Sequence, residues 1–230
     1  MTEPTLLLRL RRQLERVADV SKAPRMQAYM KSAMPYHGVP APILWRACKQ
    51  LFDDTELASA RLWRAHVREL WRGATHREER YAAILLCGDK RAAAFQTPRA
   101  MRLYEEIIVT GAWWDYVDSV ASQRVGPILQ NYPDPLKEMM LVWSRSNNVW
   151  KRRASILCQL GFKRDTDLDL LYACIEPSLD SNEFFLRKAI GWALRQYART
   201  DPREVEHYVG RNESRLSSLS KREALKKIPR

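Results

Sequence analysis

Glycine is scarce in this chain, with 8 among 230 residues, where the usual share of about 7% would give roughly twice as many. Sequences this poor in glycine, and rich in Ala, Leu and Arg with scattered β-branched residues, favour helix. No run alternates apolar and polar residues convincingly, which argues against an all-β fold and against a Rossmann fold. Cysteine is also sparse. Cys48, Cys87, Cys158 and Cys174 lie far apart, form no CxxC pair and sit in mixed apolar strings. Buried free thiols are the expected outcome, rather than disulfides or a zinc site. The four histidines, His37, His66, His76 and His207, show neither HExxH nor paired spacing, so no catalytic metal has a ligand set and no cofactor is expected. Long apolar runs are missing too. No segment approaches the roughly 18 residues of a spanning helix. The opening Met1-Thr2-Glu3-Pro4 and Leu6-Leu7-Leu8-Arg9 lack a signal-peptide core, so a cytoplasmic protein without membrane contact is expected.

Acidic residues are in deficit, with 27 Asp and Glu against 39 Lys and Arg, a net charge of +12. An excess of this sign favours a polyanionic partner, nucleic acid above all. With 46% of residues hydrophobic, a sizeable core is available for one large domain or a short solenoid.

What the chain does have is a repeat. Ala82, Asp118, Ala154, Ala189 and Ala224 follow one another at steps of 35 or 36 residues. Each stands in a similar local string, such as Arg80-Tyr81-Ala82-Ala83-Ile84, Arg152-Arg153-Ala154-Ser155-Ile156 and Arg187-Lys188-Ala189-Ile190-Gly191. A period in this range marks stacked helical hairpins. Four positions carry a small residue suited to close helix packing, and the fifth carries an aspartate. Helices are predicted over 4–20, 25–33, 42–53, 57–72, 77–87, 98–110, 113–121, 124–131, 135–145, 148–161, 166–178, 183–199, 202–211 and 220–228. The breakers between them are Ser21-Lys22-Ala23-Pro24, Gly73, Gly88-Asp89, Thr97-Pro98, Gly111, Tyr132-Pro133-Asp134-Pro135, Ser146-Asn147 and Asp201-Pro202. Connections are short and no long linker divides the chain, so residues 1–230 are read as one all-α domain, an α-solenoid with a concave basic groove. Met34-Pro35-Tyr36-His37-Gly38-Val39-Pro40 cannot be regular helix, and its backbone is a candidate ligand contact.

Trp114 and Asp118 are four residues apart, hence on one helix face. Arg153 follows Asp118 by one repeat, and Trp192 follows Arg153 by one repeat plus a turn. Equivalent faces of a solenoid line one surface, so Trp114, Asp118, Arg153 and Trp192 are expected to meet in one groove. A carboxylate, a guanidinium and two indoles there suit a ligand that is cationic, aromatic and attached to phosphate. Between Met139 and Arg164 stand Arg145, Lys151, Arg152, Arg153, Lys163 and Arg164 with no acid. With Trp143 and Trp150 alongside, this stretch is the expected footprint of phosphate contact, and its positive field favours ionised Asp118.

Several strings resemble the AlkD family of DNA alkylation-repair glycosylases. They are Ala28-Tyr29-Met30-Lys31, Trp113-Trp114-Asp115-Tyr116-Val117-Asp118, Asn148-Val149-Trp150-Lys151-Arg152-Arg153-Ala154, and Glu183-Phe184-Phe185-Leu186-Arg187-Lys188-Ala189-Ile190-Gly191-Trp192-Ala193-Leu194-Arg195. The resemblance runs from about Tyr29 to Ile228 and implies HEAT-like repeats. It implies that Asp118 is the catalytic aspartate, that Arg153 holds the lesion phosphate, and that Trp114, Trp192 and Tyr29 border the lesion deoxyribose. It further implies contact through backbone and sugar rather than a deep base pocket. Pro40 stands where the family can carry glutamine, and Gly161 where it can carry lysine; both bear on DNA grip and lesion range.

Three functions are compatible with these residues. The first is a monofunctional glycosylase that removes N3- and N7-alkylpurines from duplex DNA, acting as a monomer. The second is a non-catalytic solenoid binding damaged or distorted DNA, which needs the basic residues but no carboxylate. The third is a protein-binding adaptor, against which the +12 charge and the Asp, Arg and Trp set both count. Other features have plainer readings. Trp45, Trp63 and Trp71 are expected in the core. Glu105-Glu106 reads as a solvated pair, and Lys188 as structural or phosphate-facing. Ser220 and Glu223 read as a capping box.

Overall fold

The computed structural model describes residues 5–228. Among them are fourteen α-helices and no strand. They are α1 (Leu6–Glu15), α2 (Ala23–Met30), α3 (Ala41–Asp53), α4 (Ala60–Gly73), α5 (Arg77–Cys87), α6 (Met101–Gly111), α7 (Trp114–Val120), α8 (Gly126–Asn131), α9 (Pro133–Ser144), α10 (Val149–Leu157), α11 (Leu168–Ile175), α12 (Phe184–Tyr197), α13 (Pro202–Arg211) and α14 (Ser218–Ala224). No helix among the described residues is long and apolar enough to cross a membrane. The chain divides into two compact units, Met1–Gln96 and Thr97–Arg230.

In the first unit α1 packs on α3, α4 and α5. Leu6, Leu10 and Leu14, one face of α1, are buried with Trp63, Val67 and Leu70 of α4. The first helix was expected over 4–20. Pro4 lies outside the described residues, and α1 ends at Glu15. Residues 16–22 turn around Asp19, whose carboxylate accepts hydrogen bonds from the Ser21 amide and hydroxyl. Such local side-chain bonds compete with helix. The 34–40 segment is irregular, as its prolines and glycine require. Gly38 has φ +86°, and a Cβ there would lie 2.0 Å from the Asp19 carbonyl oxygen.

In the second unit α7 packs on α10, α10 on α12, and α12 on α14. These four helices carry Asp118, Ala154, Ala189 and Ala224, so the stacking order follows the sequence period. All four repeat alanines are fully buried. The small residue at each step is thus a packing requirement, and Asp118 occupies the equivalent inward position with 8% exposure.

Three local expectations are corrected. The helices predicted over 113–121 and 124–131 run on from one to the other through a π-helical turn, Ala121–Val125. Pro127 supplies the reason, because it has no N–H to donate and its ring crowds the preceding turn. The cap of α14 is Ser217, whose hydroxyl accepts from the Ser220 amide at 3.0 Å. Glu223 is no part of a capping box; its carboxylate pairs with Lys188 at 3.1 Å and with Arg195. Trp63 and Trp71 are buried, but Trp45 is 64% exposed, because Leu44, Ala47, Cys48, Leu51 and Phe52 form the buried face of α3.

The four cysteines are free and buried, and burial pushes the Cys48 and Cys174 thiols up to about 12. Gly191 sets the α12–α14 approach: a Cβ there would stand 2.9 Å from the Ser220 carbonyl oxygen and 2.6 Å from the Glu223 Cβ. Ala has the better helix propensity, yet Gly191→Ala is expected to destabilise the fold by about 1–3 kcal/mol through overpacking. A thermal melt showing an unchanged or higher Tm would contradict this.

Candidate active site

Asp118 lies one turn after Trp114 on α7, and Arg153 projects from α10. Both are buried, with 8% and 4% of their surface exposed. The guanidinium meets the carboxylate as a fork: Nε–H donates to Oδ1 at 2.6 Å and Nη2–H to Oδ2 at 2.7 Å. Nη1–H donates to the Phe185 carbonyl oxygen on α12. One arginine therefore ties α7, α10 and α12 together, in the charge-assisted geometry for which a planar guanidinium is suited. Burial pushes the Asp118 carboxyl above the ordinary aspartate value, and the hydrogen bonds and charge of Arg153 oppose that rise without cancelling it. The expectation that surroundings favour the ionised form thus holds for the arginine alone; desolvation outweighs it.

Aromatic rings adjoin the pair. Trp113, Trp150 and Phe185 form a cluster with centroids 6.2, 5.5 and 4.9 Å apart. The Arg153 Cζ lies 5.9 Å from the Phe185 ring centre. Trp113 and Phe185 are thus site neighbours that spacing to Asp118 did not single out; the available signal was the apolar pair Trp113 and Trp114 before one carboxylate. Trp114 and Trp192 are both half-buried. Trp192 comes two turns after Phe185 on α12, which places both on one helix face.

The basic run separates into two groups. Lys151 pairs with Glu105 at 2.6 Å and lies over the buried Trp143 ring. Glu105 is therefore paired while its side chain stays partly in solvent. Arg152 donates to the Ser178 hydroxyl and the Pro177 carbonyl. These two cations tie neighbouring helices together. Arg145, Lys163 and Arg164 are exposed and form no ion pair among the described residues. Tyr29, in the first unit, is 78% exposed on α2.

The Gly38 segment commits three of its amides within the protein and so cannot offer those to a ligand. The amides of His37, Gly38 and Val39 donate to the buried Glu78 carboxylate at 3.0, 2.9 and 3.0 Å. Beside them, His37, His76 and Glu79 bring potential metal-binding atoms within 4.8 Å of one another, a grouping with no signature in the linear spacing. Its geometry is that of an ion-pair cluster. Glu79 already accepts two N–H bonds from Arg11, at 2.9 and 3.1 Å. The two imidazoles stack at 3.8 Å and 17°, and both turn a ring nitrogen toward the same Glu79 oxygen, His37 Nε2 at 3.1 Å and His76 Nδ1 at 3.8 Å. Burial opposes ionisation of Glu79, but bonds from His37, Arg11 and the Thr75 amide hold its carboxyl down at about 2.

Removing one member of a buried ion pair leaves the other uncompensated. Asp118→Ala should therefore cost about 3–5 kcal/mol of stability. Asp118→Asn keeps an oxygen for Arg153 and should cost distinctly less. Denaturant unfolding of the two variants checks this, and an Asp118→Ala variant as stable as the wild type would show that the pair is not a structural element.

Comparison with known proteins shows the family. A family model described as DNA alkylation repair enzyme matches residues 10–228. Among solved structures, a predicted DNA alkylation repair enzyme from Enterococcus faecalis is similar at 30% identity and a TM-score of 0.84, covering 93% of this chain and 97% of its own. No curated protein matches. The family match takes in nearly the whole chain, the Asp118–Arg153 pair included, and the protein belongs to the family of DNA alkylation repair enzymes.

Proposed function

We propose that this protein is a monofunctional DNA glycosylase that hydrolyses the N-glycosidic bond of positively charged N3- and N7-alkylpurines, such as 3-methyladenine and 7-methylguanine, in duplex DNA. The observation that carries the proposal is the buried, arginine-clamped carboxylate of Asp118 beside a group of indoles in a chain of net charge +12. Alkylation at N3 or N7 makes the purine cationic and weakens its bond to C1′. As the C1′–N bond breaks, its electron pair leaves with the base and positive character moves to the deoxyribose. A fixed anion beside the sugar stabilises that charge without reorganising, and indole faces add a smaller attraction of about 0.5–2 kcal/mol each. Water then bonds to C1′ and releases its proton, giving a free neutral base and an abasic site. A carboxylate has about four lone-pair sites. Arg153 takes two at Asp118, which leaves the others to face the sugar or orient the water.

Trp114 and Trp192 border the deoxyribose in this reading, and the exposed Tyr29 of the first unit is a further aromatic contact to the DNA. Arg153 has five N–H donors, of which Asp118 and Phe185 accept three. The remaining N–H groups serve the lesion phosphate. Arg145, Lys163 and Arg164 supply further phosphate contacts, and Lys151 and Arg152 support the helices that carry the site while adding to its field. The protein acts as a monomer on one lesion at a time.

Purified protein incubated with methylated duplex DNA should release 7-methylguanine and 3-methyladenine. Asp118→Asn should retain DNA affinity and lower release about 10²–10³-fold, the scale of removing one preorganised electrostatic group. Absence of free base with the wild-type protein would instead favour a non-catalytic binder of distorted duplex, in which the Asp118–Arg153 pair is purely structural.

The reaction needs the Asp118 anion, so release should fall as pH falls through the Asp118 pKa. That pKa lies above the ordinary aspartate value because of burial, with Arg153 opposing the rise. Replacing Arg153 by Gln removes the opposing charge, and the acidic limb of the pH–rate profile should move to higher pH. A limb that stays in place, or moves to lower pH, would separate Arg153 from the ionisation of Asp118.

A further inference from the structure

From Val20 to Phe52 the chain contains no Asp or Glu, yet it contains Lys22, Arg25, Lys31, Arg46 and Lys49. Within this stretch α3 turns Leu44, Ala47, Cys48, Leu51 and Phe52 into the core. The opposite face carries Pro42, Trp45, Arg46 and Lys49, at the spacing that aligns side chains along one side of a helix. Trp45 is 64% exposed. Neither Arg46 nor Lys49 forms a hydrogen bond or ion pair among the described residues, unlike Lys151 and Arg152, which are tied to neighbours. An isolated surface tryptophan needs no explanation. One set beside two uncommitted cations, on a segment free of acids, has the composition of a nucleic-acid contact, in which cations hold phosphates and an aromatic ring packs on sugar or base.

We infer that the outer face of α3 is a second duplex-DNA contact, with Arg46 and Lys49 on backbone phosphates and the Trp45 indole packed against an adjoining deoxyribose edge. The inference rests on the duplex-DNA reading proposed above. The contact needs no particular base sequence, because neither cation is committed to a base edge and the indole offers only an apolar face. It binds undamaged duplex as well as the lesion, and so serves to hold the enzyme on DNA.

The test uses the full chain and an unmodified duplex, with affinity measured over a range of salt concentrations. Each phosphate contact contributes about 0.9 to the slope of log affinity against log salt. The double variant Arg46→Gln/Lys49→Gln should therefore lose about 1.8 from the wild-type slope. Trp45→Ala should weaken binding about tenfold and leave the slope unchanged. All three side chains are exposed, so thermal melts should match wild type and show that the variants are folded. Variants that bind with wild-type affinity and slope, while the wild-type protein releases 7-methylguanine, would overturn this inference alone and leave the face to another partner, such as an acidic protein. A wild-type protein that neither binds duplex nor releases base would overturn both this inference and the glycosylase reading.

Discussion

The second unit depends on the closed fork between Arg153 and Asp118. Two opposite charges are held out of water, an arrangement whose desolvation cost is repaid only when geometry and additional hydrogen bonds are good. Both conditions are met, because each carboxylate oxygen receives an N–H and a third N–H reaches the Phe185 carbonyl. Three helices therefore share one constraint. A shift of α10 by a fraction of a turn would leave a buried charge unpaired, a more severe penalty than the loss of a few apolar contacts.

The repeat supplies the frame for that constraint. At four of the five equivalent positions a fully buried alanine lets neighbouring helices approach closely. At the fifth stands a carboxylate, which meets the guanidinium from the next repeat. Trp113, Trp150 and Phe185 form an aromatic cluster that reaches the pair where the Phe185 ring adjoins Arg153. The π-helical turn directly after α7 lets the chain continue past Pro127 without ending the helix that bears Asp118.

These residues show why some parts of the site were legible in the sequence and others were not. Asp118 stood out because an acid broke a series of small residues, and a repeat assigns inward positions without any coordinates. Arg153 was legible as its neighbour for the same reason. Its commitment was not: a guanidinium one repeat from an aspartate fits a phosphate or the carboxylate equally well on spacing alone. Lys151 and Arg152 belong to a run of bases that reads as one charged face, but Glu105 and Ser178, which hold them, lie 46 and 26 residues away. Trp45 was assigned to the core because helical spacing reveals a face and not its direction. The Glu78 carboxylate that takes up three amides of the Gly38 segment, and the stacked His37 and His76, join residues about 40 apart with no repeat to align them.

A buried neutral ion pair in a cationic protein has a consequence for the proposed chemistry. Arg153 and Asp118 together contribute no net charge, so they do not by themselves draw in a cationic base. They present an oriented dipole whose negative end is fixed before the substrate arrives. Such a dipole acts strongly on charge that appears within a few ångströms and weakly on charge farther away, because the field of the arginine cancels that of the carboxylate with distance. A sugar that becomes positive in contact with Asp118 gains from it, whereas distant phosphates feel mainly the surplus of lysine and arginine. The same protein can therefore attract a polyanion overall and stabilise a cation at one point, provided that the carboxylate stays ionised and the arginine stays on its own side of it. In the proposed reaction Arg153 would both limit the pKa rise that burial imposes and confine the negative potential to the reacting sugar.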